Sequence, residues 1–71
     1  MKIKSKKVTK IATAKKNIEI FVEKGLIRLE LWPFEDPFTR NSIIWPGDSR
    51  VVNTHVKYRI HAIQDSVYKI K

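Results

Sequence analysis

The chain has 71 residues, with 15 lysines and arginines against seven acids and a net charge of +8. That length allows one domain at most, and a thin core, because a chain of this size buries only about 60% of its unfolded surface. It contains no cysteine, which excludes disulfides and thiolate-held metals. Its apolar runs fall far below the roughly 18 residues of a membrane-spanning helix.

The charge is unevenly placed. Residues 1–17 hold Lys2, Lys4, Lys6, Lys7, Lys10, Lys15 and Lys16 and no acid, while the remainder is nearly neutral. Such asymmetry points to a polyanionic partner; the plainer alternative is a solubilising tail. The N-terminal lysines are followed by no apolar stretch, so no signal peptide is read there. The expected location is the cytoplasm, or a virion if the chain is a phage structural protein.

In chain order, residues 1–6 read as a basic extended arm and residues 7–71 as a single small β domain. Val8, Ile11 and Ala12 would fit one helical face, but the β-branched Val8, Thr9, Ile11 and Thr13 favour a strand over residues 7–14. From Ile18 to Trp32 the alternation is clear. Ile18, Ile20 and Val22, then Ile27, Leu29 and Leu31, take every second position, the period of a strand. A two-residue loop at Lys24-Gly25 would make these two strands a hairpin, with Val22 opposite Ile27 and Ile20 opposite Leu29. Two details oppose it: lysine is a poor first residue for such a turn, and Glu19 would face Glu30.

The segment 32–38 packs three aromatics and two prolines into seven residues. Trp32, Phe34, Phe38 and the following Trp45 are candidate protein-contact rings; the competing readings are base stacking and closure of one barrel end. Glu35 and Asp36 would repel phosphate there. Ile43-Ile44-Trp45 and Val51-Val52 read as short strands around Pro46-Gly47, which suits a type II turn.

Val56, Tyr58, Ile60 and Ala62 alternate with Lys57, Arg59, His61 and Ile63. After the turn residues Gln64-Asp65-Ser66, a last strand follows. Read as a hairpin, Ala62 pairs with Tyr68 and Ile60 with Ile70. The opposite face becomes a basic ribbon of Lys57, Arg59, His61, Lys69 and Lys71, which an anion would neutralise; the plainer reading is a solvated face. His55 and His61, six residues apart on one strand, stand roughly 20 Å apart and cannot share a metal.

The expected fold is all-β, a five- to six-stranded antiparallel barrel of SH3-like or OB-like type. Gly25 and Gly47 are the only glycines, so no phosphate-cradling loop exists. No serine or threonine has a base at diagnostic spacing, and no cofactor or metal is expected. The leading expectation is a non-enzymatic binding protein that contacts nucleic acid through Lys2, Lys4, Lys6, Lys7, Lys10, Lys57, Arg59, His61, Lys69 and Lys71. The alternative is a structural or adaptor subunit of a larger assembly such as a phage particle. Its arm and aromatic segment would then touch protein neighbours or a second copy. An inhibitor that mimics nucleic acid is disfavoured by the positive charge.

Overall fold

The computed structural model describes residues 1–32 and 39–71. Its strands in chain order are β1 (Lys2–Ile3), β2 (Ala12–Thr13), β3 (Ile18–Lys24), β4 (Ile27–Trp32), β5 (Arg40–Ile44), β6 (Ser49–Val52), β7 (Lys57–Ala62) and β8 (Ser66–Ile70). They form two antiparallel four-stranded sheets, A in the order β1-β8-β3-β6 and B in the order β2-β7-β4-β5. Every connection but β4 to β5 carries the chain from one sheet to the other. That is the double-Greek-key, or jelly-roll, arrangement.

The alternation in the sequence fills the space between the sheets. Ile20 and Val22 from β3, Ile27 and Leu29 from β4, Ile44 from β5, Val52 from β6 and Ile60 from β7 are all essentially inaccessible to solvent. Ala14 and Tyr68 complete this cluster, and Ile3, Ile18, Leu31 and Ile70 pack against it. Burying each aliphatic side chain fully contributes about 1.5–3 kcal/mol. The all-β, antiparallel, barrel-like expectation holds. Among the described residues the strands number eight rather than five or six, and their topology is not that of an SH3-like or OB-like barrel.

Both expected hairpins are corrected. β3 and β4 are not partners: Val22 lies opposite Tyr68 of β8, and Ile27 lies between Ile44 of β5 and Ala62 of β7. β7 and β8 likewise belong to different sheets. The physical reason is that alternation reports which side chains point inward, and two facing sheets share one interior. It does not report which strand is adjacent. Gly25, with φ +87°, turns the chain out of sheet A. The Leu26 N–H then donates to Ser66 Oγ (3.1 Å) as the chain enters sheet B.

The Pro46-Gly47 turn forms as expected. Gly47 has φ +87°, the Asp48 N–H donates to the Trp45 carbonyl (3.0 Å), and the turn joins β5 of one sheet to β6 of the other. Residues 1–6 are extended in part and built into the fold. Lys2 and Ile3 pair with Val67 and Ser66 of β8. A turn follows in which the Lys7 N–H donates to the Lys4 carbonyl (3.0 Å). The Ser5 N–H donates to Asp65 Oδ1 (2.8 Å) and the Lys6 N–H to the Ala62 carbonyl (2.8 Å). The strand expected over 7–14 is reduced to a bridge between Val8 and His61 and the two residues of β2.

Candidate interaction surface

Because Ile27 and Leu29 of β4 point inward, Arg28, Glu30 and Trp32 point outward. Cross-strand register then sets their neighbours on the outer face of sheet B. Arg28 lies between His61 of β7 and Ile43 of β5, with Val8 beyond His61. Glu30 lies between Arg59 and Asn41, and Trp32 is opposite Lys57. One residue past Ile27, the Ile63 N–H donates to the Leu26 carbonyl (2.9 Å). Trp45 follows Ile44, the β5 partner of Ile27.

This face has two textures. At its centre is a polar strip. A guanidinium can only donate, so the contact between Arg28 Nη2 and His61 Nδ1 (3.1 Å) makes Nδ1 the acceptor. The proton is then on Nε2, which donates to Glu30 Oε1 (2.9 Å). Arg59 donates to the same oxygen from Nε (2.9 Å) and Nη2 (2.5 Å). Its guanidinium carbon also sits 5.4 Å from the centroid of the Trp32 ring, within range of a cation–π contact. The His61 hydrogen bond, then that of Arg59, holds the Glu30 carboxyl below the ordinary carboxylate value.

At the end of the face near the Gly25 turn the texture is apolar. Trp45 is 59% exposed, Val8 47%, Ile63 43% and Ile43 37%. Scattered singly, exposed apolar side chains need no explanation. Here the four surround the Arg28–His61 pair: Val8 and Ile43 end the row that His61 and Arg28 occupy, and Ile63 and Trp45 follow the adjoining strand ends, a clustering of the kind that marks an interaction site.

The proposed basic ribbon does not exist. Lys57, Arg59 and His61 lie on sheet B, whereas Lys69 and the following Lys71 lie on sheet A. Arg59 and His61 are committed to Glu30. Lys69 is paired with Glu23 (2.8 Å), a hydrogen bond that lowers the carboxylate's pKa and raises the ammonium's. Lys71 exchanges backbone hydrogen bonds with Glu19 (2.9 and 3.0 Å). His61 and Lys69, and likewise Arg59 and Lys71, are therefore not cross-strand neighbours. Lys2, Lys4, Lys6, Lys7 and Lys10 are exposed.

Of the four candidate contact rings, Trp45 is exposed and Trp32 is half-buried beneath Arg59. Phe34 and Phe38 lie outside the described residues. Sequence reasoning missed Val8, Ile43 and Ile63 as surface contacts. One signal was present: Ile63 takes the outward position after Lys57, Arg59 and His61. Among the described residues, no group of three or more His, Cys, Asp or Glu side chains is placed to hold a metal ion.

No protein-family model matches the chain, and no curated protein matches it in sequence. Solved structures do match in fold. A Drosophila melanogaster CENP-C structure bound to CAL1 superposes with a TM-score of 0.90 at 18% identity, covering 97% of this chain and 58% of that one. The Drosophila melanogaster CENP-C cupin domain superposes with a TM-score of 0.90 at 18% identity, covering 97% of this chain and 54% of that one. The chain thus spans a little over half the length of these structures, and at this identity the likeness establishes the fold: a small double-sheet barrel similar to a cupin domain.

Proposed function

We propose that the chain is a non-enzymatic binding module that docks a protein partner through the outer face of sheet B. The observation that carries this reading is the exposure of Val8, Ile43, Trp45 and Ile63 around the Arg28–His61 end of the Glu30-centred polar strip. An exposed tryptophan among aliphatics, next to an arginine held over a second indole, is the composition of a protein interface core. The similar CENP-C structure was solved bound to a protein, CAL1, which supports such a use of the fold. A subunit of a larger assembly is the setting in which this face would stay covered.

The test is affinity purification from cells making the protein, after nuclease treatment, with binding of the recovered partner then measured using purified components. Wild type is compared with Trp45→Glu/Ile63→Glu and with Val51→Glu, which alters the outer face of sheet A. The sheet-B variant is expected to lose partner affinity by about 30-fold or more, as loss of an interface anchor does, while Val51→Glu retains it. Equal binding by all three proteins overturns the reading. So does association that nuclease abolishes, which would return the case to nucleic acid.

A further inference from the structure

We infer that a cavity at the open edge of sheet A, separate from the proposed docking face, is a binding site for a small phosphate monoester. The cavity has a volume of about 390 Å³ and is lined by residues that include Lys2, Lys4, Lys24, Asp65 and Val67. That volume lies in the range of small-molecule sites.

Register explains why the lysines converge. Val67 of β8 is partnered on one side by Lys2 of β1 and on the other by Lys24 of β3. Directly opposed residues share a face, so the two ammonium-bearing chains flank Val67. Their backbones are about 10 Å apart across two strand spacings, a gap that two lysine side chains can close from either side. Lys4 follows Ile3 at the rim.

An irregularity in β3 is what brings Lys24 to the site. The pairing Phe21 with Lys69 and Val22 with Tyr68 would, if continued, put Glu23 opposite Val67. The register shifts between Val22 and Lys24, and Val67 is partnered by Lys24. In a bulge two residues of one strand oppose one of its partner, so Lys24 joins Glu23 opposite Val67, and bulges commonly re-aim side chains at functional sites. Glu23 is neutralised by Lys69 (2.8 Å). The one acid that lines the cavity, Asp65, already accepts the Ser5 N–H on Oδ1.

The three lysines and one aspartate among the lining residues carry two net positive charges. A phosphate monoester carries about −1.5 to −2 at pH 7 and matches them, whereas a single carboxylate would not. Val67 supplies an apolar wall for the body of the ester. The hydroxyl of Ser66 is spent on the Leu26 N–H and the Gln64 carbonyl, so recognition falls to the lysines.

The experiment is an amide NMR titration of the intact chain with phenyl phosphate. Parallel arms use benzoate, inorganic phosphate, a phosphoserine peptide and a short single-stranded oligonucleotide. The expected result is saturable shifts confined to Ile3, Lys24, Ser66 and Val67, with phenyl phosphate bound more tightly than every other probe. Lys24→Gln and, separately, Lys2→Gln should each weaken it about tenfold, as loss of a charge-assisted hydrogen bond does, with the spectrum itself reporting that the variant is folded. Lys57→Gln, on the other sheet, should change nothing. Unsaturable drift spread over every lysine-bearing segment overturns the inference. So does benzoate binding as tightly as phenyl phosphate, or the peptide or oligonucleotide binding more tightly at these residues. The Trp45→Glu/Ile63→Glu variant should bind phenyl phosphate as wild type does, so this site and the docking face fail or stand separately.

Discussion

Three donor atoms from two side chains meet on one oxygen of Glu30, and the second nitrogen of His61 is in turn held by Arg28. Removing the carboxylate charge leaves the His61 and Arg59 donors with a weaker acceptor. Glu30→Gln is therefore expected to cost about 1–2 kcal/mol at pH 7, read from urea unfolding. The sign with pH follows from the depressed carboxyl. Its stabilisation is fully present above the ordinary value of 4.5 and is lost as pH falls through the lower folded value. The gap between wild type and variant should thus shrink between pH 5 and the acid limit of folding; a gap that stays constant would refute this role. The two glycines separate two causes of cost. Both have φ +87°, but a Cβ at Gly47 meets nothing, while one at Gly25 would run into the Asp65 carbonyl oxygen and Ser66. Gly47→Ala should cost about 1–2 kcal/mol from backbone strain alone. Gly25→Ala adds overpacking and should cost about 3 kcal/mol or more, a difference visible in the denaturation midpoints.

The strands themselves were legible because buried β positions alternate, and Ile20, Val22, Ile27, Leu29, Ile60 and Ala62 all face inward as their spacing says. Their partners were not legible. A glycine turn between two alternating segments looks the same whether the chain folds back beside itself or steps across a barrel. This decided the candidate site as well as the fold: the basic ribbon depended on β7 and β8 being neighbours, and the apolar patch depends on β7, β4 and β5 being so. The topology has a direct chemical test. Glu19 exchanges both backbone bonds with Lys71, so toward β6 it forms a non-hydrogen-bonded pair with Val51, the closer kind, at about 4.5 Å between Cα atoms. Glu19→Cys/Val51→Cys should oxidise to an intramolecular disulfide, since that spacing is within disulfide range. Glu19→Cys/Glu30→Cys, which the hairpin register would have paired, should stay reduced by thiol assay.

Over the whole molecule, the charge excess was located correctly by the sequence in residues 1–17, but not its disposition. Pairing places those residues along the β1 and β2 edges of the two sheets, where Lys2 and Lys4 join Lys24 at one cavity. No local pattern announces that meeting, because it is made by residues far apart in sequence. The core is small enough that one side chain matters to the whole. Leu29, opposite Ile60 and Ser42 and fully buried, should cost about 2–5 kcal/mol as Leu29→Ala. Against about 0.05–0.15 kcal/mol of net stability per residue, that is enough to leave a substantial unfolded fraction by circular dichroism at 37 °C. The strand order has a last consequence, for biosynthesis. β8 sits between β1 and β3, and β7 between β2 and β4, so the strands made latest occupy interior places. Until residues 57–70 are made, β1 and β2 have no partner to join, and the inward faces of β3 and β4 remain open to solvent. At about 5–20 residues per second of synthesis, the nascent chain must wait roughly 1–3 s for these two strands before either sheet can be completed, and during that wait its sticky interior is what a ribosome-bound chaperone would meet.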